Sequence, residues 1–338
     1  MTKPRIAVGS LGGTITMTSH TEGGVTPTLS ADELLAAVPD LEAVASLEAA
    51  TLAALPGASL GYDDLFGALA WASKAIDSGA HGVVLVQGTD TLEETAYLLD
   101  LFWDRPEPLV VTGAMRSPQR PGSDGPANLL GSVTTAAQTA SRELGALVVL
   151  NDEIHAAARV CKMDSSATNA FRSPVFGPLG RLVEGLPVYG NRPVRHPRLP
   201  MPDETPADPR VALLTTHLAD HGELLELVID AEYDGVVLAA LGVGHVPAPL
   251  AWAISRAVGR LPVILATRTG AGSTAERTYG FVGSEMDLIS RGAVPAGWLP
   301  PAKARILLWS LLRLGWSSSR ISVEFAQRGG NPGGPKTC

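Results

Sequence analysis

Short apolar runs alternate with longer amphipathic stretches along the first half of this chain. The apolar runs predict buried strands at five places, 6–8, 44–54, 83–86, 108–112 and 146–150. Apolar residues at helical spacing predict helices over 62–78, after the turn at 88–91, and over 127–141. This alternation favours a parallel sheet that helices cover on both faces.

A capping-box pattern marks the start of one further helix. Ser30 is followed three residues later by Glu33, and an apolar run begins at Leu34. We expect this short helix to stop before Pro39, because the residue before a proline disfavours the helical conformation.

The same rhythm resumes in the second half of the chain. Strands are predicted at 211–215, 236–241 and 263–267, and helices at 223–233, 248–258 and near 302–314. The glycine- and proline-rich tail from 328 onwards is expected to be disordered.

A proline-rich stretch separates the two halves. Residues 186–209 hold seven prolines and show no helical periodicity, which is typical of an interdomain linker. The arginines within it, at 192, 195 and 198, are interpreted as solvated linker residues rather than as an anion site. The chain is therefore predicted to be a two-domain α/β protein. It has a larger N-terminal domain (1–188) on a parallel sheet of flavodoxin or Rossmann type, a linker (189–209) and a smaller C-terminal α/β domain (210–338).

Composition narrows the classes of function. The chain has 338 residues, of which 45% are hydrophobic, enough for two real cores. Its net charge of -8 argues against nucleic acid or an anionic membrane surface as a partner, because both require basic patches. Two cysteines are too few for a disulfide framework, and the scattered histidines predict no metal site. The N-terminus shows no secretory signal, and no apolar run is long enough to span a membrane, so we expect a cytoplasmic protein.

Two of the predicted strands end in turns that carry threonines. The first strand leads into Gly12, Gly13 and Thr14, and the strand at 83–86 leads into Gly88, Thr89, Asp90 and Thr91. In open parallel sheets, ligands bind beyond the carboxyl ends of the strands, where helix amides also point. The alternative is purely structural: Asp90 or Thr91 caps the following helix, and the paired glycines only form a turn.

Lys162 follows the strand at 146–150 and is a third candidate. A lysine at such a position is most often a solvated surface group. A partly buried lysine can instead act as a base with a lowered pKa, or hold a hydroxyl and a carboxylate in place. Thr89, Asp90 and Lys162 would form such a set. The neighbouring Cys161 has no evident catalytic partner.

Several ordered motifs resemble those of the bacterial-type L-asparaginases. They are GGTI at 12–15, GTDTLEETAYLLDL at 88–101, GAMR at 113–116, DGPANL at 124–129 and KARILLWSLL from 303. The resemblance implies that Thr14 is a nucleophile and that Thr89, Asp90 and Lys162 form a second catalytic group.

The resemblance also implies a set of substrate contacts and an assembly. Ser59 would bind the substrate α-carboxylate, and Asp90 the α-amino group. Backbone amides around Gly13 and Ala114 would lie near the scissile amide. The substrate would be L-asparagine, with no metal or cofactor. The family forms homotetramers, as dimers of dimers, in which a neighbouring subunit completes each site; His245 and Glu276 are the candidates for that contribution.

Two departures from the family pattern concern the first loop. Leu11 stands where many relatives have a threonine, and residues 20–30 contain no tyrosine, although relatives often place one there against the nucleophile. Gly24 or a neighbour takes that position. Something else must then orient Thr14, or the loop works differently.

The predicted reaction follows from the chemistry of hydroxyls. A threonine hydroxyl is a poor nucleophile at neutral pH and needs a base within hydrogen-bond reach. Thr14 would attack the side-chain amide, ammonia would leave, and water would release the acyl group, although Thr89 as the first nucleophile remains open. The favoured function is an L-asparaginase. The alternatives are an amidase acting on another ω-amide, of the glutamine type, and a non-catalytic amino-acid sensor with the same fold.

Overall fold

The computed structural model describes residues 3–19, 24–202 and 208–330. The chain divides into two compact units, the first ending at Arg198 and the second beginning at Leu199. This division falls inside the stretch predicted as a linker, while the predicted domain bounds at 188 and 210 stay predictions.

The first unit is an α/β structure with one large sheet. Its strands are β1 (Arg5–Gly12), β2 (Met17–Ser19), β3 (Val25–Pro27), β4 (Ser46–Leu55), β5 (Gly82–Val86), β6 (Leu109–Thr112), β7 (Ala146–Leu150), β8 (Glu153–Ala156), β9 (Cys161–Lys162), β10 (Phe171–Arg172), β11 (Gly180–Val183) and β12 (Leu186–Tyr189). Its helices are α1 (Ala31–Ala36), α2 (Leu41–Val44), α3 (Tyr62–Asp77), α4 (Leu92–Phe102) and α5 (Gly125–Ala137), with 3₁₀ turns at Thr14–Thr16, Gly57–Ser59 and Thr139–Ser141.

The large sheet has the strand order β12-β11-β8-β7-β6-β5-β1-β4. Strands β4, β1, β5, β6 and β7 are parallel, and β8, β11 and β12 extend the sheet in antiparallel fashion. Taken in chain order, the parallel strands lie in the flavodoxin-like sequence 2-1-3-4-5. The predicted parallel-sheet α/β fold is therefore confirmed, and an antiparallel edge is added to it.

The central strands are buried along their whole length. Every residue of β5, β6 and β7 is buried, which requires cover on both faces of the sheet. Helix α5 covers one face of the sheet. Its Leu129 and Val133 belong to the same core cluster as Val84, Val110 and Leu147 of the strands. This burial explains why these strands appear in the sequence as continuous apolar runs.

The second unit is a smaller α/β structure. Its strands β13 (Val211–Thr215), β14 (Gly235–Ala240), β15 (Val263–Thr267) and β16 (Val294–Pro295) form a parallel sheet in that order. Its helices are α6 (Glu223–Asp230), α7 (Ala248–Val258), α8 (Glu285–Ser290), α9 (Pro301–Arg313) and α10 (Ser318–Arg328). The smaller C-terminal α/β domain predicted from the sequence is thus confirmed as a fold.

Several elements begin or end at the residues that local sequence signals predict. The Ser30 side chain accepts the Glu33 amide, and the Glu33 carboxylate accepts the Ser30 amide at 2.8 Å, which forms the predicted capping box of α1. The strands at 146–150, 211–215 and 263–267 and the helix at 248–258 have the predicted bounds.

Other elements differ from the sequence-based prediction. The proline-rich stretch predicted as a linker begins with strand β12, which tolerates Pro187 because it lies at the edge of the sheet. The arginines of that stretch are not simply solvated. Arg192 donates to the Ala140 carbonyl oxygen at 3.3 Å, and Arg195 to that of Trp103 at 3.1 Å. Helix α10 was not predicted and runs to Arg328; of the tail predicted to be disordered, residues 331–338 lie outside the described residues.

Candidate active site

Three loops of the first unit meet through glycine backbone. A Cβ added to Gly13 would lie 2.1 Å from the Gly88 nitrogen, and one added to Gly88 would lie 2.6 Å from the Gly57 nitrogen. Real Cβ atoms do not approach so closely, so these loops pack only because these positions are glycine. The contact brings the segments that carry Thr14, Ser59 and Thr89 to the same end of the sheet.

This meeting point is where the order of the strands reverses. Strand β4 lies on one side of β1 and β5 lies on the other, so the loops that leave β1 and β5 diverge from neighbouring strands. Ligands of open α/β sheets bind in the crevice that forms at such a switch point. The two threonine loops therefore occupy the position where this fold builds its sites.

Lys162 joins Thr89 and Asp90. Its Nζ donates to Thr89 Oγ1 at 2.9 Å and to Asp90 Oδ1 at 3.0 Å. Thr89 is buried, the Lys162 side chain is 16% exposed, and the Asp90 carboxylate is largely open to solvent. The interpretation of Lys162 as a solvated surface group is therefore wrong.

The alternative role for Asp90 and Thr91 as helix caps is also wrong. Thr91 is the N-cap residue of α4, yet no side chain caps the helix there. The Thr91 hydroxyl donates instead to the Gly57 carbonyl oxygen at 2.8 Å, so it fastens the turn that carries Ser59. The Asp90 carboxylate accepts a hydrogen bond from Lys162.

Thr14 begins a 3₁₀ turn that its neighbours hold in place. The Thr16 hydroxyl and amide both donate to the Gly13 carbonyl oxygen at 2.9 Å, and Ile15 is buried in the core. The Thr14 side chain is half-buried, and its hydroxyl has no hydrogen-bond partner within the part of the chain that the structure describes. Its hydroxyl is therefore available to a substrate.

The first loop departs from the family pattern at Leu11 and in having no tyrosine over residues 20–30, and the structure describes these two places differently. Leu11 is buried in β1, where its side chain packs rather than presenting a polar group to a ligand. Gly24, one of the residues expected at the position of the tyrosine, is exposed with φ +84°, and residues 20–23 lie outside the described ranges.

Ala114 lies in a turn that two side chains hold in place. One belongs to Asp124, the N-cap residue of α5, and the other to Asn128 within α5. Asp124 accepts the Met115 and Arg116 amides at 3.0 and 2.9 Å, and the Asn128 amide group donates to the Gly113 carbonyl oxygen at 3.0 Å. Ala114 is fully buried, so only its backbone can contribute to a site. Both organising residues belong to the DGPANL motif, but sequence reasoning gave them no role.

Asn128 also reaches a third segment. Its Oδ1 accepts the Asn151 amide at 2.9 Å, and Asn151 follows β7 with a left-handed φ of +51°. A single side chain thus links the end of β6 to the end of β7. The only sequence signal for this link is an asparagine among the buried apolar residues of a helix.

Ser59, the predicted carboxylate ligand, ends the 3₁₀ turn Gly57–Ser59 and is exposed. The turn closes through the Ser59 amide, which donates to the Pro56 carbonyl oxygen at 2.9 Å. Because Gly57 contacts Gly88, the Ser59 turn and the Thr89 loop are held as one structure.

The second unit contains both residues predicted to complete a neighbour's site. His245 Nε2 lies 3.0 Å from Glu285 Oε2, and its ring packs edge-on against Tyr279 and Phe281. Glu276 is half-buried. Burial raises the pKa of the Glu285 carboxyl, but hydrogen bonds from the Tyr279 and Thr278 amides outweigh it and hold that pKa below the ordinary value. Glu285, missed from the sequence, thus fixes both His245 and the 278–281 loop.

Within residues 3–19, 24–202 and 208–330, no group of His, Cys, Asp and Glu side chains is placed so that it could hold a metal ion. No helix within these ranges combines the length and apolar character needed to cross a membrane.

A buried hydroxyl held by an ammonium, beside a glycine-rich loop at a switch point, is the type of site that a hydrolytic enzyme uses. Family models match both units: "Asparaginase, N-terminal" over residues 5–195 and "Glutaminase/Asparaginase C-terminal domain" over 210–325. The chain belongs to the asparaginase family and is an amidohydrolase, which confirms the resemblance seen in its motifs.

Individual relatives cover nearly the whole chain. The probable L-asparaginase of Deinococcus radiodurans is 37% identical over 96% of this chain and 98% of its own length. L-asparaginase 2 of Escherichia coli is 31% identical over 96% and 93%. A glutamyl-tRNA(Gln) amidotransferase component from Methanosphaera stadtmanae is 27% identical over 91% and 72%. The crystal structure of a probable cytoplasmic L-asparaginase from Campylobacter jejuni has a TM-score of 0.84 at 29% identity and covers 96% of this chain and 99% of its own.

Proposed function

We propose that this chain hydrolyses L-asparagine to L-aspartate and ammonia, with Thr14 as nucleophile and an acyl-enzyme intermediate. The observation that carries the proposal is the pair of hydrogen bonds from Lys162 to Thr89 and Asp90, at 2.9 and 3.0 Å. Thr89 and Asp90 lie on the loop that contacts Gly13, the residue directly before Thr14.

The first half-reaction uses the Thr14 hydroxyl. Its oxygen attacks the side-chain amide carbon of the substrate while its proton passes to an acceptor. The carbonyl oxygen becomes an oxyanion, which backbone N–H groups of the turns at Gly13 and Ala114 stabilise by about 3 kcal/mol in comparable sites. The amide nitrogen then gains a proton and leaves as ammonia, and an aspartyl ester on Thr14 remains.

The second half-reaction reverses these roles. Water attacks the ester carbon, the Thr14 oxygen regains a proton, and L-aspartate leaves. Both halves require a group that accepts and returns a proton. Thr89 and Lys162 suit that task, because Lys162 Nζ lies 2.9 Å from Thr89 Oγ1. Thr89 Oγ1 takes the incoming proton while its own hydroxyl proton passes to the free amine of Lys162, and the same two transfers in reverse return the proton.

Charge complementarity supports the choice of an amino-acid substrate. The Asp90 carboxylate is open to solvent and suits the α-amino group. The exposed Ser59 hydroxyl, in the turn that packs on Gly88, suits the α-carboxylate. Both contacts keep the side-chain amide directed at the threonines.

The family match leaves a second substrate as a candidate. The relative named as a glutamyl-tRNA(Gln) amidotransferase component shares 27% identity over 72% of its length, which favours an amidase acting on another ω-amide, of the glutamine type. Ammonia release from purified protein given L-asparagine, L-glutamine and D-asparagine in parallel separates these cases. We expect the highest kcat/KM with L-asparagine, while a preference for L-glutamine would favour the alternative. No release from any of the three would favour the amino-acid sensor.

The assembly and location are part of the proposal. We infer a homotetramer, built as a dimer of dimers, in which the His245 loop of one subunit adjoins the Thr14 loop of another. Light scattering of the purified protein tests the mass of this assembly. A cytoplasmic location agrees with the name of the Campylobacter jejuni protein, although another relative, from Haemophilus influenzae and 31% identical, is named as a probable periplasmic L-asparaginase. Cell fractionation distinguishes the two locations.

A further inference from the structure

The first unit contains a polar cavity with a volume of about 470 Å³. Asn169, Arg172 and Ser173 line part of it, and Asn151, Glu153 and Arg181 line another part. Its volume lies in the range of cavities that bind small molecules. None of these six residues belongs to the proposed catalytic group.

Arg172 gives this cavity its positive charge. Its guanidinium makes no hydrogen bond or ion pair with the residues that the structure describes, and its side chain is exposed. The nearby Asp164 carboxylate, whose pKa Arg172 helps to lower, already accepts the amides of Ser166 and Ala167 at 2.7 and 2.8 Å. Arg172 is therefore available to a ligand.

The other charges of the cavity neutralise each other. Arg181 forms an ion pair with Glu153, and Glu153 Oε2 lies 3.5 Å from His155 Nε2. With this pair compensated, the lining residues keep one positive charge in excess, that of Arg172. An arginine fork binds a carboxylate through two parallel hydrogen bonds, so the complementary ligand is an organic acid.

A further donor is positioned beside Arg172. The Ser173 side chain is buried by its neighbours, being 7% exposed, and its Oγ lies 3.0 Å from Nδ1 of the fully buried His155. When Nδ1 carries the proton and donates it to Oγ, the hydroxyl of this cavity-lining residue keeps its own hydrogen for a ligand. The exposed Asn169 adds an amide group with no partner in the described part of the chain.

Two structural links connect this cavity to the proposed catalytic site. Strand β10 pairs with β9 so that Phe171 is the partner of Lys162, and Arg172 is the partner of Cys161. Asn151 donates its amide to Asn128, which also holds the Gly113 carbonyl oxygen in front of Ala114. A ligand that moves Arg172 or Asn151 therefore acts on segments that carry Lys162 and Ala114.

We propose that this cavity binds a small organic carboxylate through Arg172, and that the bound anion changes turnover through β9–β10 and Asn128. The proposal that the anion binds depends only on the cavity and its residues, whereas the proposed effect on turnover rests on the proposed function. The second part is a coupling between two distinct sites, each with its own ligand.

Succinate is a suitable probe, because it has two carboxylates and no amide to hydrolyse. Isothermal titration calorimetry should show one succinate site fewer per chain in Arg172→Ala than in the wild type. Arg192→Ala, which removes an exposed arginine outside the cavity, should bind as the wild type does. Equal stoichiometry and affinity in wild type and Arg172→Ala, or no succinate binding in the wild type, would overturn the carboxylate site.

Kinetics test the coupling separately. At saturating L-asparagine, competition at the active site disappears, so a change in kcat reports a second site. We expect succinate to change kcat about twofold or more in the wild type and in Arg192→Ala, but not in Arg172→Ala. A change in KM alone in all three proteins would overturn the coupling. A third outcome is that the wild type releases no ammonia, while Arg172→Ala binds one succinate fewer than the wild type. This result would overturn the proposed function and support the carboxylate site in the cavity.

Discussion

Lys162 Nζ lies 2.9 Å from Thr89 Oγ1, although 73 residues separate the two in the chain. Strand β9 carries the lysine, and the loop after β5 carries the threonine. The same ammonium reaches Asp90, so one cation fixes a hydroxyl and a carboxylate together. This lysine therefore links the end of strand β9 to the Thr89 loop.

Lys162→Met should lower kcat by about 10²-fold or more, since general acid–base groups typically contribute 10²–10⁴. The methionine keeps most of the side-chain volume, so the melting temperature should change little. Lys74→Met, at an exposed position on α3, is the matched control and should retain wild-type kcat. Full ammonia release by Lys162→Met would remove the lysine from the mechanism.

Gly88→Ala should separate the loops that meet at the site. The new Cβ would lie 2.6 Å from the Gly57 nitrogen, and overpacking of this kind costs about 1–3 kcal/mol. We expect a lower free energy of unfolding together with a large loss of kcat. Gly67→Ala in α3, where an added Cβ meets nothing within 4 Å, should be neutral or stabilising. Equal stability in the two variants would show that the glycine contact is not required.

Asn128→Ala should damage the Ala114 turn. It removes the donor to the buried Gly113 carbonyl oxygen, which costs about 1–3 kcal/mol, and also the acceptor of the partly buried Asn151 amide. Denaturant unfolding should show this loss, and kcat should fall because the backbone near the scissile amide moves. Asn191→Ala serves as the control, because the Asn191 side chain makes one hydrogen bond, an exposed one at 3.1 Å to the Pro178 carbonyl oxygen. Wild-type kcat in Asn128→Ala would mean that the turn does not contribute to catalysis.

Glu285 should make stability depend on acid pH. Its folded-state pKa is below the ordinary value of 4.5, so its contribution is fully present above pH 4.5 and is lost as pH falls through the folded-state pKa. Thermal melts of the wild type and Glu285→Gln from pH 7 to pH 3 should therefore converge towards the acid end. A constant difference between the two melting temperatures over that range would contradict this linkage.

Parts of the fold with strong local signals were predictable from the sequence. Strand β7 is a continuous apolar run because parallel strands are buried on both faces, and α1 begins at a capping box. Strand β12 was not predicted, because Pro187 argues against a strand unless the strand is known to be an edge. Helix α10 buries only Ile321 and Phe325, a pattern too sparse to mark a helix.

The candidate site was predictable where a loop followed a strand, as at Thr14 and Thr89. The partners that hold these loops were less visible. Asn128 joins three separate segments, and Glu285 meets His245 across 40 residues, so neither contact has a local pattern. The packing of Gly13 on Gly88 likewise depends on the strand order, which places β1 next to β5.

The acyl-enzyme is the most direct test of Thr14 as the nucleophile. Rapid acid quenching of the wild type during turnover of L-asparagine, followed by peptide mass spectrometry, should find an aspartyl group esterified to Thr14. The same experiment on Thr14→Ala should find none. An aspartyl ester on Thr89 in Thr14→Ala, or ammonia release by Thr14→Ala at the wild-type rate, would contradict the assignment of Thr14.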